Sequence, residues 1–193
     1  SIMDPIKVKT PEQGQVIWIT GLSGAGKTTL SEQLICDLRR RGDFVIGLDG
    51  DQVRSIISRD LDYSVESRIE QITRTRNLAK LLYDNGLTVV VSALYSNNEL
   101  LSKNRSTFNN YFEVYLKVSI ETLIKRDSKG LYNKYRRGKM NNVVGMDIEW
   151  QVPKKPDFIF ENDIFKPCER MSEQIINMVE QTAKEVFIPF GSK

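Results

Sequence analysis

The chain has 193 residues, 40% of them hydrophobic, enough for one core that buries roughly two-thirds or more of the unfolded surface. A formal net charge of only +3 argues against a nucleic-acid partner, and the complete lack of histidine excludes imidazole bases and, with two cysteines, argues against a zinc site. Neither a signal-peptide pattern nor about 18 consecutive apolar residues occurs, so the expectation is a cytoplasmic protein without membrane contact, its thiols Cys36 and Cys168 reduced and buried.

After an N-terminal extension expected over 1–14, the β-rich run "QVIWIT" (15–20) predicts the first strand. Directly behind it, "GLSGAGKT" (21–28) satisfies G-x-x-x-x-G-K-[ST] and leads into a helical pattern in which Leu30, Leu34 and Leu38 recur every fourth residue. Glycines at such a turn let backbone N–H groups point inward around a polyphosphate, and the helix N-terminus adds partial positive charge. Lys27 is placed to reach the outer phosphates and the Thr28 hydroxyl to ligate magnesium. Gly21, Ser23, Gly24, Ala25, Gly26, Lys27, Thr28 and Thr29 are therefore the expected contacts of a nucleoside triphosphate.

The second strand, "FVIGL" (44–48), runs into "LDGDQVR", where Asp49 and Asp51 flank Gly50. Two carboxylates at a strand's carboxyl end suit magnesium binding and proton removal from an acceptor hydroxyl; an Asp-Gly turn with a helix N-cap is the plainer alternative. Helical spacing of Val65, Ile69, Ile72, Ala79 and Leu82 precedes the third strand, "LTVVVS" (87–92), which ends in Ser92 and not in an acid. With no N-K-x-D guanine signature either, a kinase fits better than a GTPase or motor ATPase. "YFEVYLKV" (111–118) and "DFIFE" (157–161) predict strands four and five, and a helix from about Pro167 to Val186 closes the domain. Gly42 and Gly86 sit where helix C-terminal caps belong. The alternation predicts an α/β fold, a mostly parallel five-stranded sheet with helices on both faces and ligands at the strands' carboxyl ends. Only 128–156 breaks the pattern: it reads as a long basic loop with little apolar period. The domain is expected over 15–187, with a tail at 188–193.

These stretches, together with "DYSVESRIEQITR", "AKLLYDNGLTVVVSA", "RDSKGLYNKYRRG" and "PKKPD", occur in the order seen in adenylylsulfate kinases, and the chain resembles that family from about Gln15 to Asp157. The resemblance implies a P-loop NTPase fold and transfer of a phosphoryl group from ATP, with Mg²⁺, to the ribose 3′-hydroxyl of a small nucleotide. It makes Asp51, with Lys27 and Asp49, the catalytic group, and Thr28 and Asp51 the metal-side residues. Arg54 and Arg68 would hold the acceptor's anionic groups and Tyr63 would stack on its base. Gln71, Ser92, Ala93, Leu94, Lys129 and Val143 complete the implied acceptor pocket, and Arg126, beside the ATP, begins a mobile basic lid over about 128–156 that includes Lys134 and Arg136. A homodimer is implied in the same way.

Two departures fall on the acceptor side. The family's Phe-Ile-Ser-Pro after the third strand is Ala93-Leu94-Tyr95-Ser96-Asn97 here. Its lid Phe-Thr-Gly is Val143-Val144-Gly145, and the following Pro-Tyr-Glu is Glu149-Trp150-Gln151. Loss of one aromatic face removes stacking worth on the order of 1–3 kcal/mol per base, unless Trp150 takes its place. That change suits a pyrimidine acceptor such as cytidine diphosphoramidate; adenylylsulfate kinase proper and an ATP-binding regulator without catalysis are the alternatives.

Overall fold

The computed structural model describes residues 13–186. The tail at 188–193 and all but the last two residues of the expected extension lie outside them. Five strands form one sheet: β1 (Gln15–Thr20), β2 (Val45–Asp49), β3 (Thr88–Ala93), β4 (Tyr111–Lys117) and β5 (Phe158–Glu161). All pairings are parallel and the order is β2-β3-β1-β4-β5. β1 and β3 are central and buried along nearly their whole length, which is why they read as continuous apolar runs.

Among the described residues seven helices connect or follow the strands: α1 (Lys27–Arg40), α2 (Gly50–Ile57), α3 (Val65–Asp84), α4 (Asn98–Thr107), α5 (Ile120–Arg126), α6 (Leu131–Arg136) and α7 (Cys168–Val186). Simple alternation predicted one helix between β2 and β3; two are present, because Asp49 caps a short α2 and Ser64 caps a new start at α3. The path from β1 to β2 runs across the sheet in one direction, whereas those from β2 to β3, β3 to β4 and β4 to β5 run in the other. Right-handed crossovers then place α1 and the later connections on opposite faces. α7 packs against α1 and α4 against α3.

Trp18, Ile17 and Ile19 from β1 and Leu30, Leu34 and Leu38 of α1 all belong to the buried core. Val65 and Ile69, counted with the α3 stripe, are instead exposed. Cys36 also departs from expectation: it points away from the Leu30–Leu34–Leu38 face and is exposed, while Cys168 is half-buried. No helix among the described residues is long and apolar enough to cross a membrane.

Candidate active site

Crossover directions diverge between β1 and β3, and this opens a crevice at their carboxyl ends. Register brings Asp49 level with Ser92, and Thr20 level with Ala93, so the loops that follow β1, β2 and β3 meet there.

The loop behind β1 wraps a cavity of about 450 Å³ lined by Ser23, Gly24, Gly26, Lys27, Thr28, Thr29, Asp49, Asp51, Arg126 and Phe165. Gly24 and Gly26 have φ of 89° and 102°, left-handed values that side-chain-bearing residues rarely adopt. Gly21 and Ala25 do not line the cavity. A Cβ on Gly21 would lie 2.9 Å from the Leu116 carbonyl oxygen, and Ala25 is wholly buried, so both act from beneath, in packing.

Two groups brace this loop from below. Asn162, just past β5, donates from Nδ2 to the Ala25 carbonyl (3.0 Å), and the Tyr132 hydroxyl donates to the Ser23 carbonyl (2.8 Å). Arg126 donates to the Asn162 and Asp163 carbonyls (2.6 and 2.8 Å) and lays its guanidinium 3.8 Å from the Phe165 ring centre. It thus borders the cavity with donors already engaged. Lys27 donates to the Leu22 carbonyl (3.1 Å). Desolvation, reinforced by the charge of Lys129 and opposed by Asp51 and Asp49, lowers the Lys27 ammonium to about 8.

The two aspartates have separate duties. Asp49 is the N-cap of α2, its Oδ1 accepting from the Asp51 and Gln52 amides (3.0 and 3.3 Å). Asp51, on the first turn, is exposed and accepts from Lys129 Nζ at 2.6 Å. An exposed pair of this kind adds little stability, so incoming groups displace it at small cost. The oxygen donors present, the Thr28 hydroxyl and the Asp51 and Asp49 carboxylates, fit a hard divalent cation that keeps several waters, as Mg²⁺ does. Among the described residues no group of three or more His, Cys, Asp or Glu is placed to enclose a metal by itself.

A second cavity, of about 380 Å³, adjoins the first and shares Ser23, Gly50, Asp51, Ser92, Leu94 and Lys129 with it. All nine residues expected in an acceptor pocket, Arg54, Tyr63, Arg68, Gln71, Ser92, Ala93, Leu94, Lys129 and Val143, border this cavity. Arg54 stacks 4.4 Å from the Tyr63 ring centre and donates to the Leu61 and Asp62 carbonyls. Arg68 lies 5.5 Å from the same ring and donates to the Asn142 carbonyl (2.8 Å), tying α3 to the segment over the cavity.

That segment is more ordered than its composition suggested. The Asp127 carboxylate accepts from the Tyr132 and Asn133 amides at the start of α6. Farther on, Asp147 accepts from the Asn142 and Val143 amides (both 2.7 Å), and Val144 bridges to Ile148. Val143, Val144 and Ile148 are buried, a short-range cluster that no helical or strand period would announce. Trp150 does not replace the missing aromatic face: its Nε1 donates to the Leu94 carbonyl (3.0 Å) and its ring packs 5.5 Å from Tyr115, outside the cavity lining. Gln151 accepts from the Asn98 amide at the start of α4 (2.8 Å).

Sequence reasoning missed Tyr132, Asn162 and Phe165, whereas Tyr95, in a stretch assigned to the acceptor side, does line the second cavity. Tyr132 lay inside a quoted motif, and Asn162 follows β5 at the carboxyl edge where such sheets bind ligands.

Comparison with known proteins agrees with this arrangement. The adenylylsulphate kinase family model matches residues 13–161. A cytidine diphosphoramidate kinase of Campylobacter jejuni is 37% identical over 83% of this chain and 94% of its own. The adenylyl-sulfate kinase of Halothermothrix orenii is 34% identical over 88% and 91%. The Mycobacterium tuberculosis APS kinase, solved in complex with AMPPNP and APS, superposes with a TM-score of 0.82 at 31% identity, covering 88% of this chain and 99% of that one. By this match over most of its length and by these identities, the chain belongs to the adenylylsulfate kinase family.

Proposed function

We propose that this protein transfers the γ-phosphoryl group of ATP to the ribose 3′-hydroxyl of a pyrimidine nucleotide bearing a small amidated anion, cytidine diphosphoramidate being the type. The observation that carries the reading is the shared wall: Asp51 and Lys129 border both cavities and touch each other at 2.6 Å.

ATP enters the cavity behind β1, where the loop amides and Lys27 hold its phosphates. Thr28 and Asp51, with Asp49 nearby, would hold Mg²⁺, which would supply charge neutralisation on the phosphates. Arg54 and Arg68 anchor the acceptor's anionic end, since guanidinium forks match such oxygens. The Asp51 carboxylate takes the proton of the attacking hydroxyl as the new P–O bond forms in line with the bond that breaks to ADP. Lys129, released from Asp51, offsets charge at the transferred group. The segment over the cavity keeps water out, so positioning and electrostatics do most of the work. A homodimer is proposed by family likeness alone.

The pyrimidine assignment rests on the walls. Tyr63 and Tyr95 are aromatic, whereas Val143 and Val144, at the lid position that carries an aromatic in the family, are aliphatic and Trp150 is held elsewhere. The 37% identity to the Campylobacter jejuni protein points the same way. The second reading, phosphorylation of APS, is favoured by the likeness to the Mycobacterium tuberculosis enzyme in its complex with APS. Following ADP release with ATP and either cytidine diphosphoramidate or APS decides between them: fast turnover of APS alone rejects the pyrimidine reading. Asp51→Asn is expected to lose at least about 100-fold in kcat while binding an ATP analogue within a few-fold, the range of a lost general base. Unchanged ADP production would remove Asp51 from the mechanism.

A further inference from the structure

We propose that Gln71 is a specificity-determining residue that reads an N–H donor on the acceptor's anionic end, and so selects an amidated phosphate over a sulfate or an unmodified phosphate. The proposal rests on the acceptor-pocket reading above and deepens it.

Gln71 borders the acceptor cavity and is only 7% exposed. Its amide is half satisfied: Nε2 donates to the Gly50 carbonyl at 3.4 Å, while Oε1 is buried and has no protein partner. Buried polar atoms are nearly always paired, so an orphaned acceptor on a cavity wall marks what a ligand must bring, namely a hydrogen-bond donor.

The contact with Gly50, long at 3.4 Å, favours this orientation of the amide. Turning it over to offer Nε2 to the cavity would set Oε1 against the Gly50 carbonyl oxygen, two acceptors face to face with no proton between them. Gly50 begins α2, whose next residue is Asp51, so its carbonyl is held by the same helix that carries the proposed base.

Position along α3 says which part of the acceptor meets this oxygen. Gln71 follows Arg68 by three residues and precedes Thr75 by four, so the three lie on one helical face, and all three border the cavity. The group that Arg68 anchors is therefore the group beside Gln71. A sulfate or a fully ionised phosphate presents only acceptor oxygens there, leaving Oε1 unpaired against another lone pair. A phosphoramidate presents to Arg68 the single negative charge that a sulfate does, and an N–H to Oε1. Sites built around one buried hydrogen bond discriminate strongly, because the wrong ligand leaves the protein atom orphaned.

The test uses the whole protein and a pair of acceptors, cytidine 5′-diphosphoramidate and cytidine 5′-diphosphate, which differ in a terminal NH2 against O⁻ and hence in one unit of charge, a difference that the native-to-variant comparison cancels. Binding is measured by calorimetry and turnover by ADP release, for the native protein and for Gln71→Met, which keeps the side chain's length without a hydrogen-bonding atom. The native protein is expected to favour the amidate by about 10- to 100-fold in Kd, and Gln71→Met to lose most of that ratio. A ratio taken on one preparation does not depend on the folded fraction, so a destabilised variant still reports. Native preference for the diphosphate, or an amidate preference unchanged in Gln71→Met, overturns the proposal. A uridine pair serves as a third arm: if the effect of the variant follows the exchange of the base amino group instead of the terminal amide, the assignment is also overturned. Should the binding ratio behave as expected while no phosphoryl transfer occurs to either acceptor, the kinase reading fails and the role of Gln71 stands.

Discussion

Raising the pH past about 8 should strip the phosphate cavity of a charge it needs. Lys27 lies near 8 in the ligand-free protein because desolvation and Lys129 outweigh the attraction of Asp51 and Asp49. About ten of every eleven Lys27 side chains then carry the proton at pH 7, and about one in eleven at pH 9. Phosphate oxygens favour the ammonium, so the complex keeps its proton across this interval. The sign follows: affinity is level below pH 8 and falls as pH rises above it, with a proton taken up on binding. Between pH 7 and pH 9 the loss is about tenfold, or about 1.4 kcal/mol. Calorimetric titration with a non-hydrolysable ATP analogue, in two buffers of different ionisation enthalpy at each pH, yields both quantities. Uptake should approach about 0.9 proton at pH 9. Lys129→Met removes one of the two causes that lower Lys27 and should move the break to higher pH, whereas Lys27→Met should abolish the pH dependence and weaken binding throughout. Constant affinity from pH 7 to pH 9 with no proton uptake would refute the reasoning.

Three further outcomes are expected. Val143→Phe restores an aromatic to the acceptor wall and should shift the ratio of kcat/KM toward adenosine over cytidine acceptors by about tenfold, within the 1–3 kcal/mol of a base–aromatic stack; steady-state kinetics with both acceptors checks it. Trp150→Phe leaves the Leu94 carbonyl without its 3.0 Å donor, so stability should fall by about 1 kcal/mol in urea titration and the acceptor KM should rise more than that for ATP. Tyr132→Phe removes the 2.8 Å bond to the Ser23 carbonyl; a loss of about 1 kcal/mol is expected, with ATP-analogue affinity reduced more than acceptor affinity.

The architecture was legible because its signals are local. Each strand bound falls within about one residue of the apolar run that announced it, and the phosphate loop declared itself through glycines whose φ values no other residue adopts easily. What escaped depends on distant partners. Asp49 reads from sequence as either half of an acid pair or a helix cap; only the 3.0 Å bond from the Asp51 amide assigns one of its oxygens to capping. Asn162 lies 137 residues from the carbonyl it supports, a separation across which a single chain offers no pattern. The segment at 128–156 looked featureless because its order comes from carboxylates gripping backbone amides and from Val143, Val144 and Ile148 packing with one another. Nor does a helical repeat say which side of α1 a thiol occupies unless the angle is followed residue by residue; Cys36 sits two past Leu34 and so faces outward.

Six residues, Ser23, Gly50, Asp51, Ser92, Leu94 and Lys129, belong to both chambers at once. Only this shared wall, with its exposed Asp51–Lys129 contact, stands between them, so one compound made of two nucleosides joined through a phosphate chain should fill both together once that contact opens. Its second half then arrives at an effective concentration set by the tether, for a gain of about 10²–10⁴ over either fragment. The length of bridge that inhibits best would serve as a ruler for the gap that the transferred group must cross.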